Sequence, residues 1–361
     1  MKSTDNRGIA LLITLSVVTI MVTVTVALNR RMRNSITDAA VSRDRIIMTH
    51  MIDSAVNMAC VILAKDKREG PADSLQDDWA DPEVVADYLA QIPFDDGEIR
   101  MLISDERARL QINALVSYPK GRDFNPAQRE LWYRFFDLLL AQQDESADKF
   151  ISEPIVPDMI INPVKDWLDF GDDDAISGLT GAEDNYYRDL DPPYSCRNGP
   201  IRQIAELMRI KGITPELFAG LDMGGAGIGA YITVSGMSET PDHKFTFDGK
   251  ININTADVPV MAALLPAGQE FLAQAICDFR VEKASESYMH DLTSPTWYKD
   301  VPGCADVTIN ADLITTSSDI FHVEVGAILN DTSMRAAVLL EREKNKKIGK
   351  WQCKVLNWTF K

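Results

Sequence analysis

The hydrophobic pattern of the chain changes character several times along its length. Residues Gly8 to Leu28 (GIALLITLSVVTIMVTVTVAL) carry no charge and no proline. As a helix rising about 1.5 Å per residue, such a run spans roughly 30 Å, the hydrocarbon thickness of a bilayer. Asn29-Arg30-Arg31 follow at once, with no small-x-small site, which fits a retained anchor better than a cleaved secretory signal. Neither Gly nor Pro occurs between Ile9 and Glu69. Beyond the arginines an apolar stripe continues at Ile36, Ala39, Ala40, Ile46, Ile47, Met51, Ala55, Met58 and Ile62, close to helical period. The pattern predicts one helix over 9–65, about 85 Å long. Its part over 9–28 is transmembrane and apolar all round, and its second half is two-faced and needs a sheet to pack on.

After an acidic surface loop, Pro82 to Gln91 reads as a short helix. Glu98 to Val116 reads as a hairpin about Ser104-Asp105-Glu106. From 123 to 312 the pattern is mostly helical. Asn125-Pro126 and Thr214-Pro215 pair an N-cap with Pro at the first helical position, and Ile201 to Ile210 and Glu270 to Arg280 add further helices. Asn254-Thr255 opens Ala256 to Leu265. Gly224 to Gly229 reads as a turn, since it has no Walker lysine. Ile320 to Leu329, Ser333 to Glu343 and Trp351 to Phe360 are β-branched or aromatic runs with partial alternation. The order points to an α+β fold: a long helix on an antiparallel sheet, with a helical block inserted between strands. Its parts are a leader 1–8, the helix 9–65, a first α/β part 66–122, the insertion 123–312 and final strands 313–361.

Composition narrows the function. Acids outnumber bases 54 to 37, for a formal charge of -17. That balance disfavours a nucleic-acid binder, which needs clustered Lys and Arg. The five cysteines form no C-x-x-C and the four histidines are scattered, so neither zinc nor a Cys/His nucleophile is indicated. In an oxidising compartment Cys277 and Cys304 are a candidate disulfide closing a loop after a helix; the alternative is a set of buried thiols. Motifs of the G-x-S-x-G, H-E-x-x-H and Walker types are absent, so catalysis is not expected. The leader MKSTDNRG ends in Arg-Gly directly before the apolar run, where a prepilin peptidase would cut on the cytoplasmic side.

Several stretches, in order along nearly the whole chain, resemble the minor pseudopilin K family of the type II secretion system. They are RGIALLITL, SDERARLQINAL, DWLDFGDDD, GAEDNYYRDLDPPY, PIRQIAELMRIKGITPELFAGL and KININTADVPVMAALLP. The resemblance implies a pilin-like fold with a large helical insertion containing two small helical units. It implies cleavage between Gly8 and Ile9 with methylation of the new amine. It also implies an inner-membrane anchor with the body in the periplasm, and a place at the pseudopilus tip with minor pseudopilins I and J, helping to start assembly for protein export. General pilins carry glutamate at the fifth mature position, here Ile13, and its absence is characteristic of subunit K. A minor pilin of a type IV pilus-like machine is the alternative. KININTADVPVMAALLP with AQAICDFR also resembles half of a helix-hairpin-helix DNA-binding module. Its turn, Pro266 to Glu270, lacks the usual Gly-x-Gly.

Residues Asp158 to Asp191 hold ten acids against Lys165 and Arg188. Carboxylates this dense repel unless a cation or solvent intervenes, and hard oxygen ligands suit calcium. The spacing is not that of an EF-hand. The resemblance also implies calcium in this region. The expected ligands are Asp172, Asp174, Glu183 and Asp184, with Asp169 and Asp189 as further candidates.

Overall fold

In the computed structural model, which describes residues 7–94, 96–144, 156–171, 175–220, 226–285 and 287–360, helix α1 runs unbroken from Arg7 to Glu69. Its 63 residues make a rod about 95 Å long at the usual rise. The first six residues of the leader lie outside the described residues. Everything from Gly8 to Ala40 is exposed, with Ile9 at 60%. The hydroxyls of Thr14, Thr19, Thr23 and Thr25 donate back to carbonyls three or four residues earlier. These threonines therefore satisfy their polar groups within the helix, as a lipid environment requires.

Packing starts at Asp44, not at the head of the predicted stripe. Ile36 remains 68% exposed, and Ile46, 61% exposed, lies on the helix face turned away from buried Asp44 and Met48. From there Met48, Met51, Ile52, Ala55, Ala59, Ile62 and Leu63 are buried, the spacing of one helical face. The face lies on a four-stranded antiparallel sheet in the order β1 (Glu98–Asp105), β2 (Ile320–Leu329), β3 (Thr332–Lys344), β4 (Trp351–Phe360). Alternate residues Phe321, Val323, Val325 and Ala327 of β2 point into this core, with Met101 and Ile103 of β1 beside them. Helix α2 (Pro82–Leu89), capped by Asp81, closes it with Val85 and Leu89. Asn330 takes a left-handed φ of 52° in the β2–β3 turn, and its amide donates to Asp44 at 2.8 Å.

The hairpin predicted over Glu98 to Val116 does not form. β1 pairs with β2 instead, more than two hundred residues later in the chain. The Asp105 side chain accepts from the Arg107 amide at 2.7 Å and caps a 3-10 turn, Glu106–Ala108, that steers the chain off the sheet. Leu110–Gln111 then pairs in parallel with Ile232–Thr233. The chain between the two neighbouring strands is therefore residues 106–319, wider at both ends than the predicted 123–312.

This inserted block has its own hydrophobic core, separate from the one under α1. It is built by α3 (Pro126–Asp144), α4 (Asp158–Leu168), α5 (Asp184–Arg188), α6 (Pro215–Ala219), α7 (Val258–Leu264) and α8 (Ala273–Phe279), with several two- and three-residue strand pairings between them. Thr214 caps α6 as the sequence suggests, its hydroxyl accepting from the Leu217 amide. The helix predicted over Ile201 to Ile210 shrinks to a 3-10 segment, Ile204–Arg209. The reason is local: the Asn113 side chain binds both the amide and the carbonyl of Ile201, at 2.8 and 3.0 Å, and holds the start of that segment extended.

Two cores need a seam, and here the seam is polar and buried. Asp105 accepts from Asn252 at 2.8 Å and from Thr255 at 2.7 Å, while Asn252 also donates to the Asp73 carbonyl. Arg342 on β3 donates to the Leu63 carbonyl and to Asp66 of α1, to the Ser318 carbonyl and to Asp73, and lies 4.8 Å over the Phe321 ring. One guanidinium thus joins the helix, the sheet, the loop after α1 and the exit of the insertion. Arg342→Met should cost about 3 kcal/mol or more, because it strands the buried carboxylate of Asp73. Denaturant unfolding of the full chain in detergent measures this. A loss under about 0.5 kcal/mol would show that solvent or Lys67 replaces the guanidinium.

Candidate functional site

Helix α4 and the loops after it gather acids in a way that composition could not resolve. Ile160, Ile161, Val164, Trp167 and Leu168 bury one face of α4 in the core of the insertion. That burial carries Asp166 inward with them, fully inaccessible, and places Asp169 at the helix C-terminus, 3% exposed. Asp166 accepts from the Ser177 amide at 3.0 and 3.1 Å and from the Ala182 amide at 2.9 Å, so the chain wraps closely around it. A Cβ at Gly181 would stand 2.2 Å from Asp166 Oδ2, so only glycine allows this approach. Glu183, at the start of α5, is 3% exposed.

One carboxylate oxygen each from Asp166, Asp169 and Glu183 lies within 4.8 Å of the other two. Oxygens 2.3–2.6 Å from a shared calcium ion sit up to about 5 Å apart, so the spacing suits a hard divalent cation. Lys165 pairs with Asp169 Oδ2 and stands 3.8 Å from Asp166. Among the described residues Asp169 Oδ1 is buried with no hydrogen-bond partner, and a cation would satisfy it. Burial first, and then the neighbouring Asp166, push the Asp169 carboxyl above the usual range, against the pull of Lys165.

Of the ligands proposed from sequence, Asp169 and Glu183 belong to this cluster. Asp172 and Asp174 lie outside the described residues. Asp184 instead pairs with Arg188 and accepts from the Cys196 amide at 2.9 Å, and Asp189 is exposed at the end of α5. Asp166 completes the cluster without being among the residues proposed from sequence, although its i,i+3 relation to Asp169 beside an apolar face is legible there. Burial pushes the Cys196 thiol up to about 12. A second group, Asp66, Asp73 and Asp77, is comparably close. There Arg342 and Lys67 already supply the positive charge, so the group is an ion-pair seam. Gly8, Ile9 and Ile13 all lie on the exposed part of α1. Cys277 and Cys304 are both buried thiols, Cys277 donating to the Ala256 carbonyl at 3.9 Å.

The raised Asp169 pKa has a definite sign. Without a cation the folded state holds this proton more tightly than the unfolded chain. Its contribution is then fully present below the ordinary carboxylate pKa and is lost as pH rises through the raised folded value. Relative to wild type, Asp169→Asn should therefore gain stability from about pH 4 toward neutrality in a chelator-containing buffer. Denaturant unfolding across that range tests it, and a wild-type-to-variant difference that does not move with pH counts against it.

A family model described as type II secretion system, protein K, first domain, matches residues 108–223, which include α3, α4, α5 and the acidic cluster. The type II secretion system protein K of Pectobacterium carotovorum is 29% identical over 221 residues, covering 60% of this chain and 61% of that protein. The match thus spans about three fifths of that relative's own length. The protein of the same name from Pseudomonas aeruginosa is 28% identical over 291 residues, 78% of this chain and 74% of that one. In fold, the chain is similar to a chain in the crystal structure of the GspK-GspI-GspJ complex from the type 2 secretion system of enterotoxigenic Escherichia coli. The TM-score is 0.60 at 18% identity, covering 89% of this chain and 99% of that one. A long helix on an antiparallel sheet, interrupted between neighbouring strands by a helical block, is thus what the chain shares in fold with that structure, and in sequence the chain is similar to type II secretion system protein K.

Proposed function

We propose that this chain is a minor pseudopilin that caps the tip of the periplasmic pseudopilus together with minor pseudopilins I and J, and helps to start its assembly for protein export. Its role is structural and not enzymatic. Residues 9–28 anchor it in the inner membrane as a single pass before assembly, with the body in the periplasm. Prepilin peptidase cuts between Gly8 and Ile9, and the new amine is methylated. The observation that carries the tip placement is the insertion of residues 106–319 between two hydrogen-bonded neighbours of the sheet. A body enlarged in this way crowds a repeating filament but fits at an end. Ile13 agrees with that reading, because a subunit with nothing stacked above it has no neighbouring amine to neutralise, and a buried carboxylate without a partner is costly.

Full chain expressed with the other secretion components and purified in detergent should begin at Ile9 by intact mass. It should also co-purify with I and J in stoichiometric amounts. Recovery with the subunits of a type IV pilus-like machine, or a mature start beyond the apolar run, would overturn the assignment.

Calcium is part of the proposal. Asp166, Asp169 and Glu183 would hold it, and the ion would neutralise a buried cluster and pin the loop between α4 and α5. Calcium should raise the Tm of the full chain, and EGTA should reverse the shift. Glu183→Gln should weaken calcium binding by about tenfold or more, whereas the exposed Asp189→Asn leaves it unchanged. A titration that releases no heat and leaves Tm unchanged would remove calcium from this account.

A further inference from the structure

The fold brings Cys60 and Cys353 together, a pair that the sequence does not suggest. Cys60 lies on α1 and Cys353 near the start of β4, both half-buried at the edge of the core under the helix. The Cys353 thiol donates to the Cys60 carbonyl at 3.9 Å, and the two thiols are near enough to shift each other's titration, Cys60 down and Cys353 up. Their alignment is held from outside the pair. Cys353 stands opposite Arg342 across the β3–β4 ladder, and Arg342 donates to the carbonyl of Leu63 at 3.0 Å, about one helical turn beyond Cys60. The strand is therefore pinned to the helix at the level where the two sulfurs meet.

We propose that Cys60 and Cys353 form a disulfide that staples the last strand of the sheet to the long N-terminal helix. Two protein thiols are oxidised, and the oxidant is a disulfide donor such as oxidised glutathione or a thiol–disulfide oxidoreductase. One thiolate attacks the donor disulfide and releases one donor thiol, giving a mixed disulfide. The second cysteine, as thiolate, attacks the protein-bound sulfur of that bond and releases the other donor thiol. Two electrons pass to the donor, whose two sulfurs leave as thiols carrying the two protons. Cys60 is the better first nucleophile, since the hydrogen bond from Cys353 favours its thiolate.

The staple answers a weakness in the fold. β4 is the last strand and an edge strand, with Val355 and Leu356 exposed, and its pairing with β3 is interrupted between Leu339 and Leu340. A covalent link at Cys353 holds this strand to the helix that would be pulled from the membrane during assembly. The in-cell form of the idea rests on the periplasmic placement proposed above; the chemistry of the pair does not.

Full chain in detergent is incubated with oxidised glutathione, quenched in acid, alkylated and mapped by mass spectrometry. The Cys60 peptide should be found joined to the Cys353 peptide, while Cys196, Cys277 and Cys304 are alkylated. The oxidised form should show a higher Tm that dithiothreitol returns to the starting value. In Cys60→Ser the Cys353 peptide should appear alkylated or glutathionylated. Recovery of both peptides unlinked from the folded wild type, or joined to other cysteines, overturns the proposal. Linkage with oxidised glutathione in protein that is fully reduced when taken from cells supports the pair and counts instead against the periplasmic placement.

Discussion

The structure depends on a buried polar seam between two hydrophobic cores. An insertion between neighbouring strands would hang as a separate body if only its two connections held it. Here Asp105, Asn252, Thr255, Asp73, Ser318 and Arg342 form a continuous set of hydrogen bonds from the end of β1 through the insertion to β3 and α1. Arg107 adds Asp319 and Asp248 at the entrance, at 2.8 and 3.0 Å. Such a network rigidifies because each member is satisfied only in one arrangement, and a half-broken network costs more than none. Asp66, Asp73 and Asp77 lie close together there because Arg342 and Lys67 supply the opposing charge.

The same logic of one element in two environments governs α1. Its first part is apolar all round and exposed among the described residues, and its hydroxyls are satisfied internally. Its last part presents a narrow apolar face to the sheet. No break separates the two parts. A force on the apolar end would therefore be transmitted along one rod directly to the sheet, and the sheet is tied to the insertion through the seam. The apolar, unpartnered end is what membrane residence or packing among similar helices requires.

The acidic cluster shows the limit of reading residues by density. Among the described residues the oxygens that converge come from Asp166, Asp169 and Glu183, while the dense run at 172–174 lies outside them. Two of these were in the proposed set. The third, Asp166, was hidden because its role comes from the apolar face of α4 carrying it inward and from Gly181 allowing the loop to approach. The cysteines repeat the point. Cys60 and Cys353 meet in space although 293 residues separate them in the chain.

What the sequence determined by itself was whatever rests on local periodicity and local chemistry. The unbroken helix follows from the lack of Gly and Pro to residue 69, the last three strands from alternation, and the start of α6 from Thr214 and Pro215. The order of these elements was enough to place an insertion inside a sheet. Only the tertiary structure decided which strand β1 pairs with, because register across two hundred residues leaves no local trace. It also decided why Asp105 ends a strand and starts a 3-10 turn where a hairpin was expected. The same holds for which polar side chains are glue and which are solvated. Those outcomes depend on desolvation and on partners brought from far along the chain, and a buried carboxylate reads the same in sequence as an exposed one.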